Sequence, residues 1–225
     1  MTDKPAPGSV ALDADQVWQV IDAQRRSLAD LLDDLSDEQW RQPSLCTGWT
    51  VRDVAAHLTM QQLGPAGVIA MMAQWRGSID RTIQHVSCRR AAKLGSKRIV
   101  TELRGMVGSR RHTVVVTHLE VLTDNLVHAQ DIAIPLGRHL DMPAAAAAVA
   151  ASRVLSMRWP PPLPSASKVA GFQLTATDTS WTAGEGPRVH APMSALLLVC
   201  AGRLAAVPQL TGPGAAALTA RLRQS

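Results

Sequence analysis

Tyrosine is absent from this sequence and phenylalanine occurs once, so that with six tryptophans the aromatic share of its 225 residues is only 3%. Proteins that grip single-stranded nucleic acid stack its bases on aromatic side chains, and that mode finds no support here. The core must instead be aliphatic. Cysteine is scarce too: Cys46, Cys88 and Cys200 are odd in number, far apart and form no CxxC pair. Neither a disulfide framework nor a zinc knuckle follows, and a reducing compartment fits. No apolar run approaches the ~20 residues that cross a bilayer, and Met1 to Val10 hold no apolar signal region. The expectation is a soluble, cytoplasmic protein with no membrane partner.

The charge balance is 23 Lys and Arg against 18 Asp and Glu, a net +5. Much of the excess lies in Arg89-Arg90, Lys93, Lys97-Arg98 and Arg110-Arg111. A nucleic-acid partner would call for a denser basic patch with aromatics beside it, so none is expected. A solvated face accounts for the cations, as does a pocket rim that attracts an anionic small molecule.

Residues 1–12, with Pro5, Pro7 and Gly8, read as a flexible leader. From Asp13, a capping residue, Val17, Ile21, Leu28 and Leu32 recur at helical spacing. Thr50 and Asp53 match a capping box, so a second helix starts at Val51 and runs through His57 towards Gly64. The stretch from Ala66 to Gly108 is less regular. A long helix is expected from about Thr113 to Leu136, ending near Gly137, and another over Ala144 to Met157. Residues 159–168 begin with Trp159 and four prolines within the next five positions and read as a linker. Beyond it, Phe172, Leu174 and Ala176 alternate as a strand, Gly184 to Pro187 turn, and Arg188 to His190 return as a second strand before a helix over Pro192 to Leu204. The fold class is mainly α: a four-helix-type bundle over 13–158, then a small α+β domain over 169–225 with a two- or three-stranded sheet.

Asp124 and His128 stand four residues apart, on one face of the long helix, with Asp131 three residues further. A carboxylate and an imidazole at this spacing form half of a site for zinc or a similar divalent ion. His57, beside Val54 and Leu58 on the inward face of its helix, is the best third ligand. The same residues also suit a blander reading, with satisfied histidines and Asp124 paired to an arginine. Cys46 reads as a loop cysteine packed away from chemistry.

Pro43 to Leu58 (PSLCTGWTVRDVAAHL) resembles a signature of the mycothiol-dependent maleylpyruvate isomerase family, a branch of the DinB-like metal-binding bundles. Leu126 to Ile132 is similar to that family's second signature, and Thr177 to Trp181, Gly184 to Pro187 and Leu198 to Arg203 resemble its small C-terminal domain. The likeness is weakest between Gly64 and Thr113. It implies a DinB-like bundle and a divalent metal, usually zinc, held by His57, Asp124 and His128, with Asp124 standing where the family has glutamate. It further implies mycothiol, the actinobacterial low-molecular-weight thiol, as cosubstrate and a small electrophile as substrate. A thiolate on the metal would be the nucleophile of an isomerase or S-transferase. Asp131 is then the group behind a ligand histidine, or a proton acceptor, and Arg203 a clamp for a substrate carboxylate. A non-catalytic metal- or thiol-binding member and a metal-dependent hydrolase stay open as alternatives, as do a monomer and a homodimer.

Overall fold

The computed structural model describes residues 12–157 and 164–224, in two compact units. One spans Val17–Asp141, and the other takes the chain up to Gln16 together with Met142–Ser225. Among the described residues no helix is long and apolar enough to cross a membrane.

The first unit is helical. Its α1 (Ala14–Asp33) starts from a reciprocal cap in which the Gln16 N–H donates to Asp13 (2.8 Å) and the Asp13 N–H to Gln16 (2.9 Å). A five-residue α2 (Asp37–Arg41), too short for periodicity to announce, is set by a Ser36/Gln39 capping box. Next comes α3 (Val51–Leu58), which opens where expected: Asp53 accepts from the Thr50 N–H at 2.8 Å while Thr50 accepts from the Asp53 N–H at 3.3 Å. It stops at Leu58, short of Gly64. Three helices follow, α4 (Pro65–Met72), α5 (Ile79–Lys93) and α6 (Ser96–Gly105).

The helix expected over Thr113 to Leu136 is shorter. It is α7 (His118–Ala133), capped by Thr117 with Glu120 closing a third capping box. Val114 and Val115, inside the expected helix, are about half exposed in the turn before it, at 53% and 49%. Two reciprocal hydrogen bonds at the cap outweigh the weak helix propensity of three consecutive valines. The chain leaves α7 through Gly137, whose φ of +63° lets the Arg138 N–H return to the Ala133 carbonyl at 2.9 Å.

Packing centres on α3, which touches α2, α5, α6 and α7. Five of its eight residues, Val51, Val54, Ala55, Ala56 and Leu58, are buried. Leu28 and Leu32 of α1, Ile99 and Leu103 of α6 and Ile132 of α7 belong to the same cluster. Ala55 and Ala56 are small enough to let neighbouring backbones approach closely.

The second unit holds α8 (Ala144–Ser156), α9 (Pro164–Lys168), a three-stranded sheet, α10 (Met193–Cys200), a 3-10 helix (Leu204–Gln209) and α11 (Ala215–Arg223). The division after Asp141 differs from the expected boundary at 158, because α8 packs its buried alanines on α10 within this unit. Of the expected linker, 164–168 are helical and 159–163 lie outside the described residues, as does the leader up to residue 11. The strands β1 (Gln173–Ala176), β2 (Thr182–Ala183) and β3 (Arg188–Ala191) lie in the order β2-β1-β3. The returning strand β3 runs parallel to β1, because β2 takes the antiparallel edge first. That path brings Gly184, at φ +77°, against the Phe172 carbonyl, where a Cβ would meet the oxygen at 2.3 Å.

Replacing Thr50 by alanine removes the α3 cap. The expected loss is about 1 kcal/mol in urea unfolding, with a smaller loss for Thr50→Ser.

Candidate metal centre

All three expected ligands belong to the first unit and converge. His57 stands on the last turn of α3, while Asp124 and His128 lie one turn apart on α7. Asp124 Oδ1 is 3.3 Å from His57 Nε2 and 3.3 Å from His128 Nε2, and the three donor atoms all lie within 4.8 Å of one another. Zinc–nitrogen and zinc–oxygen bonds of about 2.0–2.1 Å at a tetrahedral angle put neighbouring donors about 3.3–3.4 Å apart. Two imidazole nitrogens, each at this spacing from one carboxylate oxygen, are a donor set that suits a divalent ion.

The rings are aimed from behind. Asp131, fully buried, accepts from His128 Nδ1 at 2.8 Å, which turns Nε2 towards Asp124. The same Asp131 oxygen accepts from Cys46 Sγ at 3.1 Å, and the Leu45 N–H donates to the Asp131 carbonyl at 3.1 Å. The loop before α3 is thus fastened to α7 at the site, and Cys46, expected to pack away from chemistry, belongs to the group around His128. The loop also carries Trp49, whose ring stacks parallel to His128 (6.4 Å between centroids, 9°) and meets His57 edge-on at 5.5 Å. Gly48 makes the turn before it at φ +78°. On the far side, Ser87 of α5 lies 3.5 Å from His57 Nδ1.

The second oxygen of Asp124 is occupied as well. Gln61, three residues beyond the end of α3, donates through Nε2 to Asp124 Oδ2 at 2.7 Å. Because it lies beyond the helix end, its spacing of four from His57 carries no reliable helical phase, and the sequence does not single it out. Arg203 lies in the second unit, at the start of the 3-10 helix, with its guanidinium donating to the Ala201 carbonyl at 2.5 Å.

The electrostatics of the group favour an ion pair. Burial works to raise the Asp124 carboxyl, but the Coulombic pull and hydrogen bonds of His57 and His128 hold it well below the usual carboxylate range. Burial likewise works to lower His128, and it is overcome by the charge of Asp124 and by hydrogen bonds to Asp124, Asp131 and Cys46, which push it well above an ordinary histidine. In a metal-free protein a proton on His128 stands in for part of the charge that a cation would bring.

Residues 21–183 match the family model described as "Mycothiol maleylpyruvate isomerase N-terminal domain". No curated protein matches the chain. Among solved structures, the crystal structure of the mycothiol-dependent maleylpyruvate isomerase superposes with a TM-score of 0.57 at 14% identity, over 85% of this chain and 90% of that one. A histidine-to-alanine mutant of the mycothiol-dependent maleylpyruvate isomerase gives 0.51 at 12% identity, over 91% and 94%. At such identities the likeness is one of fold.

The raised His128 and lowered Asp124 fix a pH dependence for metal-free protein. His128 binds its proton more tightly in the folded chain, so its contribution is complete below about pH 6.5 and is lost as pH rises through its raised native value. The contribution of Asp124 is present above the ordinary carboxylate range and is lost as pH falls through its lowered value. Urea unfolding of chelator-treated wild type beside His128→Asn should therefore show a wide stability gap at about pH 6 and a narrower one at about pH 9. A gap of equal size at both would remove the ion pair as its source.

Proposed function

This chain belongs to the mycothiol maleylpyruvate isomerase N-terminal domain family, and from that premise we propose that it is a mycothiol-dependent isomerase or S-transferase acting on a small electrophile at a divalent metal. His57, Asp124 and His128 would hold the ion, and their nitrogen and oxygen donors suit zinc. The observation that carries the reading is the pair of 3.3 Å separations from one Asp124 oxygen to the two imidazole nitrogens, the edge length of a tetrahedral zinc site.

When bound, the metal supplies the positive charge that keeps a coordinating thiol deprotonated at neutral pH. Three protein donors leave a fourth position for that thiol. The remaining work falls to side chains. Asp131 holds the Nδ1 proton of His128, so the lone pair of Nε2 points into the site. Trp49 lies against both imidazoles, which restrains the rings and keeps water from one side of the cluster. A thiolate that adds to an activated double bond and is expelled after bond rotation isomerises it, whereas one that stays attached is transferred.

Metal analysis of wild type beside His57→Ala and Asp124→Ala is the deciding experiment. The expected result is about one zinc per chain in wild type and loss of metal in both variants, with wild-type turnover of electrophiles only when mycothiol is added. A wild type that takes up no zinc defeats the reading. Turnover without thiol would point to a hydrolase, and tight mycothiol binding with no turnover to a non-catalytic member. Asp131→Asn, which keeps the shape and loses the charge, should weaken zinc binding about 10- to 100-fold while far-UV circular dichroism stays unchanged.

A further inference from the structure

Asp124 has two oxygens, and the structure treats them differently. Oδ1 faces both imidazoles at 3.3 Å. Oδ2 is taken by the Gln61 side-chain amide at 2.7 Å. Gln61 is itself buried, 8% exposed, and its other end is fixed. Oε1 accepts from Asn125 Nδ2 at 3.0 Å and faces Arg25 Nη2 at 3.4 Å. The Asn125 amide is oriented in turn by donating to the Val121 carbonyl at 2.8 Å. Two donors at Oε1 leave the Gln61 amide one sensible orientation, with its NH2 group on Asp124. Arg25 is completely buried and anchored by donating to the Met106 carbonyl at 2.8 Å. Its positive charge polarises the Gln61 amide so that the N–H facing Asp124 becomes a stronger donor.

From this chain of contacts we propose that Gln61, backed by Arg25 and Asn125, is a positioning residue that makes Asp124 a one-oxygen ligand. The amide blocks Oδ2 and stabilises charge on it, so the carboxylate cannot close on the ion with both oxygens. The site is thereby held at three protein donor atoms, and the position a second carboxylate oxygen would fill stays free for an incoming ligand. This inference rests on the proposed metal site, but it concerns how Asp124 binds rather than whether metal binds. Gln61 touches neither thiol nor electrophile in this account and acts only through Asp124.

The test replaces the active-site metal by cobalt(II), whose visible absorbance is strong when four-coordinate and weak when six-coordinate, and measures zinc affinity by competition with a chelating dye. Wild type loaded with cobalt should give the strong, four-coordinate spectrum. Gln61→Met fills the same space without the donor; it should weaken zinc binding about 10- to 100-fold and lower the cobalt absorbance as Asp124 becomes two-oxygen. A role confined to packing would move the melting temperature and leave the spectrum alone. A weak spectrum in wild type overturns the proposal without any variant, as does a Gln61→Met protein with unchanged spectrum and zinc affinity. A wild type that binds neither zinc nor cobalt removes the metal site itself, an outcome distinct from both.

Discussion

Burying α3 on nearly every side while leaving one imidazole available is the constraint from which the helical unit follows. Eight residues cannot form a stable helix alone, so α3 depends on its Thr50–Asp53 cap and on contacts with α2, α5, α6 and α7. Its alanines allow α5 and α7 to come close, and closeness is what gives His57 two neighbours at once. Asp124 reaches it from α7 and Ser87 from α5. A larger residue at Ala55 or Ala56 would push those helices away and widen the donor spacing. Packing and metal geometry are in this sense one requirement.

The group at the site is organised as nested pairs, in which each polar atom is held by something less exposed than itself. Asp124 is held by Gln61, and Gln61 by Asn125 and Arg25. His128 is held by Asp131, which also receives Cys46. Exposure falls along each series, from a partly open carboxylate to an Arg25 and an Asp131 with none at all. Buried groups move little, so the partners of Asp124 and His128 need not be ordered when a cation arrives.

The converging trio could be read from the sequence because helical spacing places Asp124 over His128 and the capping box fixes where α3 begins. His57 needed the motif resemblance as well, since periodicity alone shows which face is inward but not what it meets. Gln61 was out of reach for a different reason: it follows the end of α3, where helical phase no longer predicts direction. Cys46 sits in a loop whose path is tied to α7 by hydrogen bonds from Leu45 and from Cys46 itself to Asp131. Likewise β-propensity marks β1 and β3 as strands but carries no record of which partner each will take, and the parallel pairing came from the placement of β2. The valines before α7 show the converse, where a plausible periodic run yields to a capping box three residues on.

Both ligand-bearing helices start from a capping box of their own, Thr50 with Asp53 and Thr117 with Glu120. Each box resets the helical phase at its own start, so the angular position of His57 is counted from Thr50 and that of Asp124 and His128 from Thr117. Residues inserted or deleted in the loops between Gly64 and Thr113 therefore leave the angular position of each ligand on its own helix unchanged. The helices within that stretch do not share this freedom, because α5 brings Ser87 to His57 and both α5 and α6 pack on α3.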